Sequence, residues 1–218
     1  MANIGPDPEQ HSADSHSQES PEHDLSLSMD EASTSVSLTS FMTALVFFFA
    51  GLLLTGAETV QERLRVPLTM LFLSAFGFMY STLIYANATG EVARRRQRSF
   101  ARQMSIANVV SEYFGVYCLV LAIPLTVLGY SPDRPLAVIV LFLSVGGLSL
   151  YHHLGYSILE RYVSRRVMRA LLAGLVLVTL GQFWTFYANA LPAYYAFTGV
   201  LLVYLTVLTY QGIRWGQE

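Results

Sequence analysis

Six long apolar runs, each of about twenty residues, constrain this 218-residue chain more than any other feature. A helix needs about 20 such residues to cross the hydrocarbon layer of a bilayer, and in lipid the backbone must satisfy its hydrogen bonds internally. The sequence therefore predicts an all-α, polytopic integral membrane protein with a bundle of six transmembrane helices. We place the six spans at residues 37–57, 67–88, 105–129, 136–158, 170–190 and 193–212.

The composition agrees with this interpretation. Hydrophobic residues make up 53% of the chain and charged residues only 13%, whereas about a quarter of the residues in soluble domains are charged. The chain has no glycine-rich nucleotide-binding loop and no metalloprotease helix, and its loops are too short to fold into a catalytic domain. We therefore expect neither an enzyme nor a nucleic-acid-binding protein.

The N-terminal segment has a different character from the rest. Residues 1–34 are rich in serine, acidic residues and proline, and they carry eight of the fifteen acids without one basic residue. Such a segment buries too little apolar surface to offset the entropy lost on folding. The sequence predicts a disordered acidic tail at 1–34, followed by the transmembrane domain at 35–218.

The arginines predict the orientation of the chain. All thirteen basic residues are arginine, and ten of them fall after the second and fourth spans or at the C-terminal end. Because positive charge concentrates in cytoplasmic loops, we expect both termini to be cytoplasmic, in a cell membrane. A cluster beside the second span is expected to bind the headgroups of anionic lipids; it consists of Arg94, Arg95, Arg96 and Arg98.

The third and fourth spans carry polar residues that we expect to face each other. Spacings of three and four residues place side chains on one face of a helix. One such face holds Asn108 and Glu112, and the other holds Ser149, His153 and Tyr156. At a rise of about 1.5 Å per residue, Glu112 and His153 would both lie roughly 8–10 Å inside the cytoplasmic leaflet. The sequence predicts that these two side chains meet.

This pairing has a chemical reason. A carboxylate inside the membrane costs several kcal/mol unless it is paired, hydrated or protonated, and an imidazole partner also changes its charge near neutral pH. The five polar residues are therefore our candidate ion or proton site, with Tyr80 and Tyr204 as further candidates. His152 points about 100° away from His153 on a helix, and we assign it to an interface or a helix contact.

Two classes of function follow from these polar residues. One is a small transporter or channel-like protein that moves a cation or proton through Glu112 and His153; the alternative is a non-catalytic accessory, assembly or sensing subunit of a membrane complex. Transport needs a polar route through both leaflets, and the outer leaflet offers only a few polar residues. These are Thr126, Gln182, Thr185 and Asn189.

The expected partners are the lipid bilayer and, in either class, a second copy of the chain or another membrane subunit. Haem is usually held by histidines on two helices, and the only membrane histidines here are the neighbours His152 and His153. The tail histidines have no helix or turn to fix their geometry. We therefore expect no cofactor and no metal.

Overall fold

The computed structural model of the chain describes residues 21–55, 61–94, 97–130, 133–159 and 165–215, and a few side chains beside the gaps, among them 21–28 and 154–159, are not described. The helices are α1 (Pro21–Leu54), α2 (Gln61–Ala93), α3 (Gln97–Val110), a π-helical segment (Ser111–Tyr117), α4 (Cys118–Tyr130), α5 (Arg134–Leu159), α6 (Arg165–Tyr187) and α7 (Leu191–Trp215). The π-helical segment joins α3 to α4 without a break.

The described residues form six helices long and apolar enough to cross a membrane. The first, second, fourth, fifth and sixth spans lie in α1, α2, α5, α6 and α7, and α3, the π-helical segment and α4 together make the third. The prediction of an all-α bundle with six transmembrane helices is confirmed. The chain is a multi-pass membrane protein.

Several helices extend beyond the predicted spans. α1 begins at Pro21, so the predicted boundary at residue 34 lies inside a helix, while residues 1–20 lie outside the described residues. α2 begins at Gln61, before the predicted start at residue 67, and α3 begins at Gln97 instead of residue 105. The added turns contain polar residues. Hydropathy locates the apolar part of a helix, and polar turns beyond the hydrocarbon layer escape it.

The second and third spans form the centre of the bundle. α2 packs against α1 and all three parts of the third span, α4 also packs against α5, and α6 packs against α7. The buried core includes Met70 on α2, Tyr117 and Leu121 on the third span, and Leu205 on α7. α5 touches the bundle mainly through α4, so much of its surface remains exposed.

Small residues bring α2 and the third span close together. A Cβ atom added at Gly77 would lie 2.8 Å from the backbone nitrogen of Gly115, which leaves no room for a side chain. The hydroxyl of Ser74 donates a hydrogen bond to the Gly115 carbonyl at 2.7 Å, and the Ser81 hydroxyl lies 3.0 Å from the carbonyl of Ala107. Close backbone approach and side-chain hydrogen bonds are the usual forces that join helices in lipid.

The turn between α6 and α7 depends on one asparagine. Asn189 has a φ of 55°, a left-handed conformation that asparagine tolerates better than most residues. The amide of Asn189 donates to the Phe186 carbonyl at 3.1 Å, and that of Ala190 donates to the Thr185 carbonyl at 2.9 Å. This bonding pattern closes the helix end as a Schellman motif does, so the fifth and sixth spans form a tight hairpin.

Candidate functional site

The π-helical segment determines which side chains of the third span face each other. Residues five apart, such as Glu112 and Tyr117, would point about 140° apart on an α-helix with 3.6 residues per turn. In a π-helix the hydrogen bonds run between residues five apart, so Glu112 and Tyr117 lie one above the other. Short π-helical segments inside α-helices are frequent at functional sites.

Tyr117 connects the third span to α5. Its hydroxyl lies 2.6 Å from Nδ1 of His152 and donates toward Oε1 of Glu112 over a longer distance of 3.5 Å. The Tyr117 side chain is fully buried and His152 is 5% exposed, while Glu112 is half-buried. We call these three side chains the Glu112–Tyr117–His152 chain. It places a carboxyl, a phenol and an imidazole in contact inside the bundle.

His152 belongs to the buried face of α5. That face consists of Ala137, Leu141, Ser144, Leu148 and His152, which follow one another at spacings of three and four residues. The second ring nitrogen, Nε2, is buried and has no hydrogen-bond partner among the described residues. The Glu112–Tyr117–His152 chain therefore ends at a nitrogen that is able to hold or release a proton.

The prediction that His153 points inward is wrong, because His153 is exposed and His152 is the buried imidazole. The prediction placed the interior of the fourth span along the face of Ser149, His153 and Tyr156, and Gly146 shares that face at a spacing of three residues from Ser149. The structure places Gly146 on the exposed surface of α5, with nothing within 4 Å of an added Cβ. Small and polar residues also occur on surfaces that face lipid, so the face of α5 that holds Gly146 and His153 is not a contact with another helix.

The other predicted site residues are distributed over separate contacts. Asn108 accepts a hydrogen bond from the hydroxyl of Tyr85 on α2, which ties it to the second span instead of the fourth. The hydroxyl of Ser149 donates to the Val145 carbonyl of its own helix at 2.7 Å. Tyr156 lies near the end of α5, where the side chains are outside the described part. As a group, the five residues do not form one hydrogen-bonded layer in the described part of the chain.

Two further tyrosines, Tyr113 and Tyr151, interact with members of the Glu112–Tyr117–His152 chain. The rings of Tyr113 and Tyr117 meet edge to face with centroids 5.2 Å apart, and Tyr151 lies within electrostatic range of Glu112. Tyr204 on α7, one of the two further candidates, donates its hydrogen bond to the Leu171 carbonyl of α6. The other candidate, Tyr80, is exposed at 55%. Tyr204 therefore fixes α6 against α7, and Tyr80 faces away from the interior.

Glu112 lies well inside the third span. Arg102, the last cation before it on the same helix, is about 15 Å away along the axis, which is half of a hydrocarbon layer of roughly 30 Å. In the part of the chain with described side chains, no ion pair joins Glu112 to an arginine. Its hydrogen-bond contact is the Tyr117 hydroxyl. A carboxyl in this position requires a proton, a cation or hydration to lower its desolvation cost.

A second polar cluster joins α6 and α7. The side-chain amide of Gln182 donates to the Thr198 hydroxyl at 2.9 Å and contacts the sulfur of Met70 at 3.8 Å. Gln182 is 1% exposed, so the amide is buried and bonded within the protein. Nearby along α7, the Tyr194 hydroxyl is buried without a partner among the described residues.

The predicted lipid-headgroup residues are described only in part. Arg94 and Arg98 are exposed, and the guanidinium of Arg94 lies 3.4 Å from the carboxylate of Glu91. Arg95 and Arg96 lie outside the described residues. The binding of anionic lipids by this cluster stays a prediction.

Comparisons with protein-family models, with curated proteins and with solved structures give no match to this chain.

Proposed function

We propose that this six-span protein moves a proton or a small cation across the membrane, with the Glu112–Tyr117–His152 chain as its binding site. One observation carries this proposal: a carboxyl, a phenol and an imidazole contact one another inside the bundle. Ionisable side chains within membrane spans are expensive and usually mark ion paths or proton relays. The proposal assigns a transport role to these side chains and not a catalytic one.

The chemistry of the three groups suits proton transfer. The Tyr117 hydroxyl has one proton to donate and lone pairs with which to accept, so it donates either to Glu112 or to His152. A proton that arrives at Nε2 of His152 allows Nδ1 to give its own proton to the Tyr117 oxygen while, in the same step, the Tyr117 hydroxyl gives its original proton to the Glu112 carboxylate. The reverse order returns the proton. Each step keeps one proton on the hydroxyl.

The alternative function is a non-catalytic accessory, assembly or sensing subunit. The Gln182–Thr198 hydrogen bond supports it, because these buried polar groups satisfy each other instead of lining an open route. The core around them is apolar and includes Leu121, Leu125 and Leu201. In this alternative the polar contacts specify helix packing, and the partner is another membrane subunit or a second copy of the chain.

We further propose that both termini lie on the cytoplasmic side of a plasma membrane. The distribution of arginines among the loops supports this orientation. Arg94 and Arg98 are exposed near the ends of α2 and α3, at a position suited to anionic headgroups.

Ion flux in liposomes separates the two functions. We expect liposomes with the native protein to show proton or monovalent-cation flux, and Glu112→Gln to reduce the flux to that of protein-free liposomes, because the neutral amide has no charge to offset that of a cation and no acidic proton to exchange. A pH-sensitive dye and an ion-selective electrode measure the two fluxes. Glu91→Gln, which removes a carboxylate beside Arg94, is the matched control and should retain native flux. Flux that is absent from the native protein, or unaltered in Glu112→Gln, would favour the accessory role.

A further inference from the structure

A lateral cleft of about 480 Å³ lies between the third span and α5. Its walls are mainly aliphatic, and it runs along the outside of the bundle. The residues that matter here are Val116, Val120, Ile123, Ser144, Gly147 and Tyr151. Ile123 and Gly147 are exposed, so the cleft opens toward the lipid. Its volume falls within the roughly 300–1,000 Å³ of typical small-molecule sites.

One end of this cleft lies beside the Glu112–Tyr117–His152 chain. Val116 follows Glu112 by about one helical turn and directly precedes Tyr117. On the opposite wall, Tyr151 directly precedes His152 in sequence and lies within electrostatic range of Glu112. A molecule in the cleft would therefore have its apolar body against valines and isoleucine and one end near a carboxyl group.

The charge of the side chains near the cleft determines which kind of ligand would fit there. Among the described side chains, Glu112 is joined to no arginine by an ion pair, and the cleft supplies no cationic group of its own. Glu112 is thus the group available to complement the charge of a ligand, and when it gives up its proton its charge is negative. A neutral acyl chain would use the apolar walls and leave the carboxyl uncompensated.

We infer that the cleft between the third span and α5 admits a lipophilic cation from the bilayer and directs its charge to Glu112. This inference rests on the proposed function, because it adds a lipophilic cation to the proton and small cations that the Glu112–Tyr117–His152 chain would take. Apolar groups enter the cleft without crossing a polar surface, and the attraction between opposite charges is strong where water is excluded.

Gly147 provides a direct test of the cleft. A Cβ atom added at Gly147 meets nothing within 4 Å, so a side chain can start there without a clash, and a phenylalanine would add bulk to the wall of the cleft. Gly146 is equally open but does not line the cleft, so Gly146→Phe is the matched control. Gly147→Val is a smaller second variant in case the larger side chain disturbs folding.

The experiment measures binding of tetraphenylphosphonium and of tetraphenylborate, two ions of similar shape and opposite charge, to the purified chain by equilibrium dialysis. We expect the cation to bind more tightly than the anion by about tenfold or more. Glu112→Gln and Gly147→Phe should each weaken cation binding by about tenfold or more, Gly147→Val should weaken it less, and Gly146→Phe should change it by less than about twofold.

Three results would overturn the inference: equal binding of the two ions, cation binding that is unaffected by both Glu112→Gln and Gly147→Phe, or an equal loss in Gly146→Phe. Binding of a neutral lipid that Gly147→Phe removes, without preference for the cation, would identify the occupant as an acyl chain. The proposed function is judged separately. Proton flux without phosphonium binding refutes only the inference, while phosphonium binding to a protein that conducts nothing refutes only the transport role.

Discussion

Replacing Gly77 by leucine is expected to prevent normal assembly of the bundle. The backbone of the third span lies 2.8 Å from the position that a Cβ would occupy at Gly77, and a backbone cannot rotate away as a side chain can. Overpacking typically costs about 1–3 kcal/mol and occasionally more, and a clash with backbone belongs at the upper end of that range. We expect Gly77→Leu to aggregate on size-exclusion chromatography or to unfold at a much lower concentration of denaturing detergent.

Gly51→Leu is the matched control for this prediction. Gly51 lies on α1, and an added Cβ meets nothing within 4 Å, so the variant should elute and unfold as the native protein does. If Gly77→Leu were as stable as Gly51→Leu, the second and third spans would not approach each other as closely as described.

Replacing Tyr117 by phenylalanine is expected to destabilise the protein and to abolish ion movement. The change keeps the ring and removes the hydroxyl that lies between His152 and Glu112. A buried group that loses its hydrogen-bond partner costs about 1–3 kcal/mol, and Nδ1 of His152 would be such a group. Unfolding in mixed detergent micelles measures the loss of stability, and liposome flux measures the loss of transport.

Tyr113→Phe is the matched control, because it removes a tyrosine hydroxyl from the same aromatic cluster without removing the hydroxyl of Tyr117. Tyr113 is buried and its ring contacts that of Tyr117, but its hydroxyl takes no part in the contacts with Glu112 and His152. This variant should lose less than about 1 kcal/mol and keep native flux. If the two variants behaved alike, the hydroxyl of Tyr117 would have no special role.

The six spans could be predicted because lipid imposes one strong requirement, a run of apolar residues long enough to cross it. The same requirement says nothing about where each helix ends, because it applies only to the part of the helix within the hydrocarbon layer. The early turns of α2 and α3 are polar and precede the apolar run, so hydropathy identifies the apolar span and not the residue at which each helix begins. The turn at Asn189 lies between the fifth and sixth predicted spans, where the polar Asn189 and the nearby Pro192 interrupt the run of apolar residues.

The site could be predicted only in part. Glu112 could be singled out from the sequence, because a carboxyl within an apolar span is energetically costly and usually marks a functional site. Tyr117 was missed because residues five apart do not share a face of an α-helix. Glu112 and Tyr117 come onto the same face only in the π-helical segment. No sequence signal that we used indicates where an α-helix widens into a π-helix.

The choice between the adjacent histidines failed for a different physical reason. Polar residues at spacings of three and four were taken to mark the inner face of the fourth span, as they often do in membrane helices. On α5 the buried face is instead defined by Leu141, Leu148 and their neighbours, and Gly146 and Gly147 face outward. In a helix that is apolar all round, the pattern of hydrophobicity does not distinguish a protein contact from a lipid contact.

The most direct test of the account compares His152→Gln with His153→Gln in the same liposome flux assay. The two side chains are adjacent in sequence, yet only His152 is buried and bonded to Tyr117. After both variants are shown to elute as the native protein does, we predict that His153→Gln retains native flux and that His152→Gln does not. Native flux in His152→Gln, or a selective loss in His153→Gln, would contradict the assignment of the Glu112–Tyr117–His152 chain as the ion-binding site.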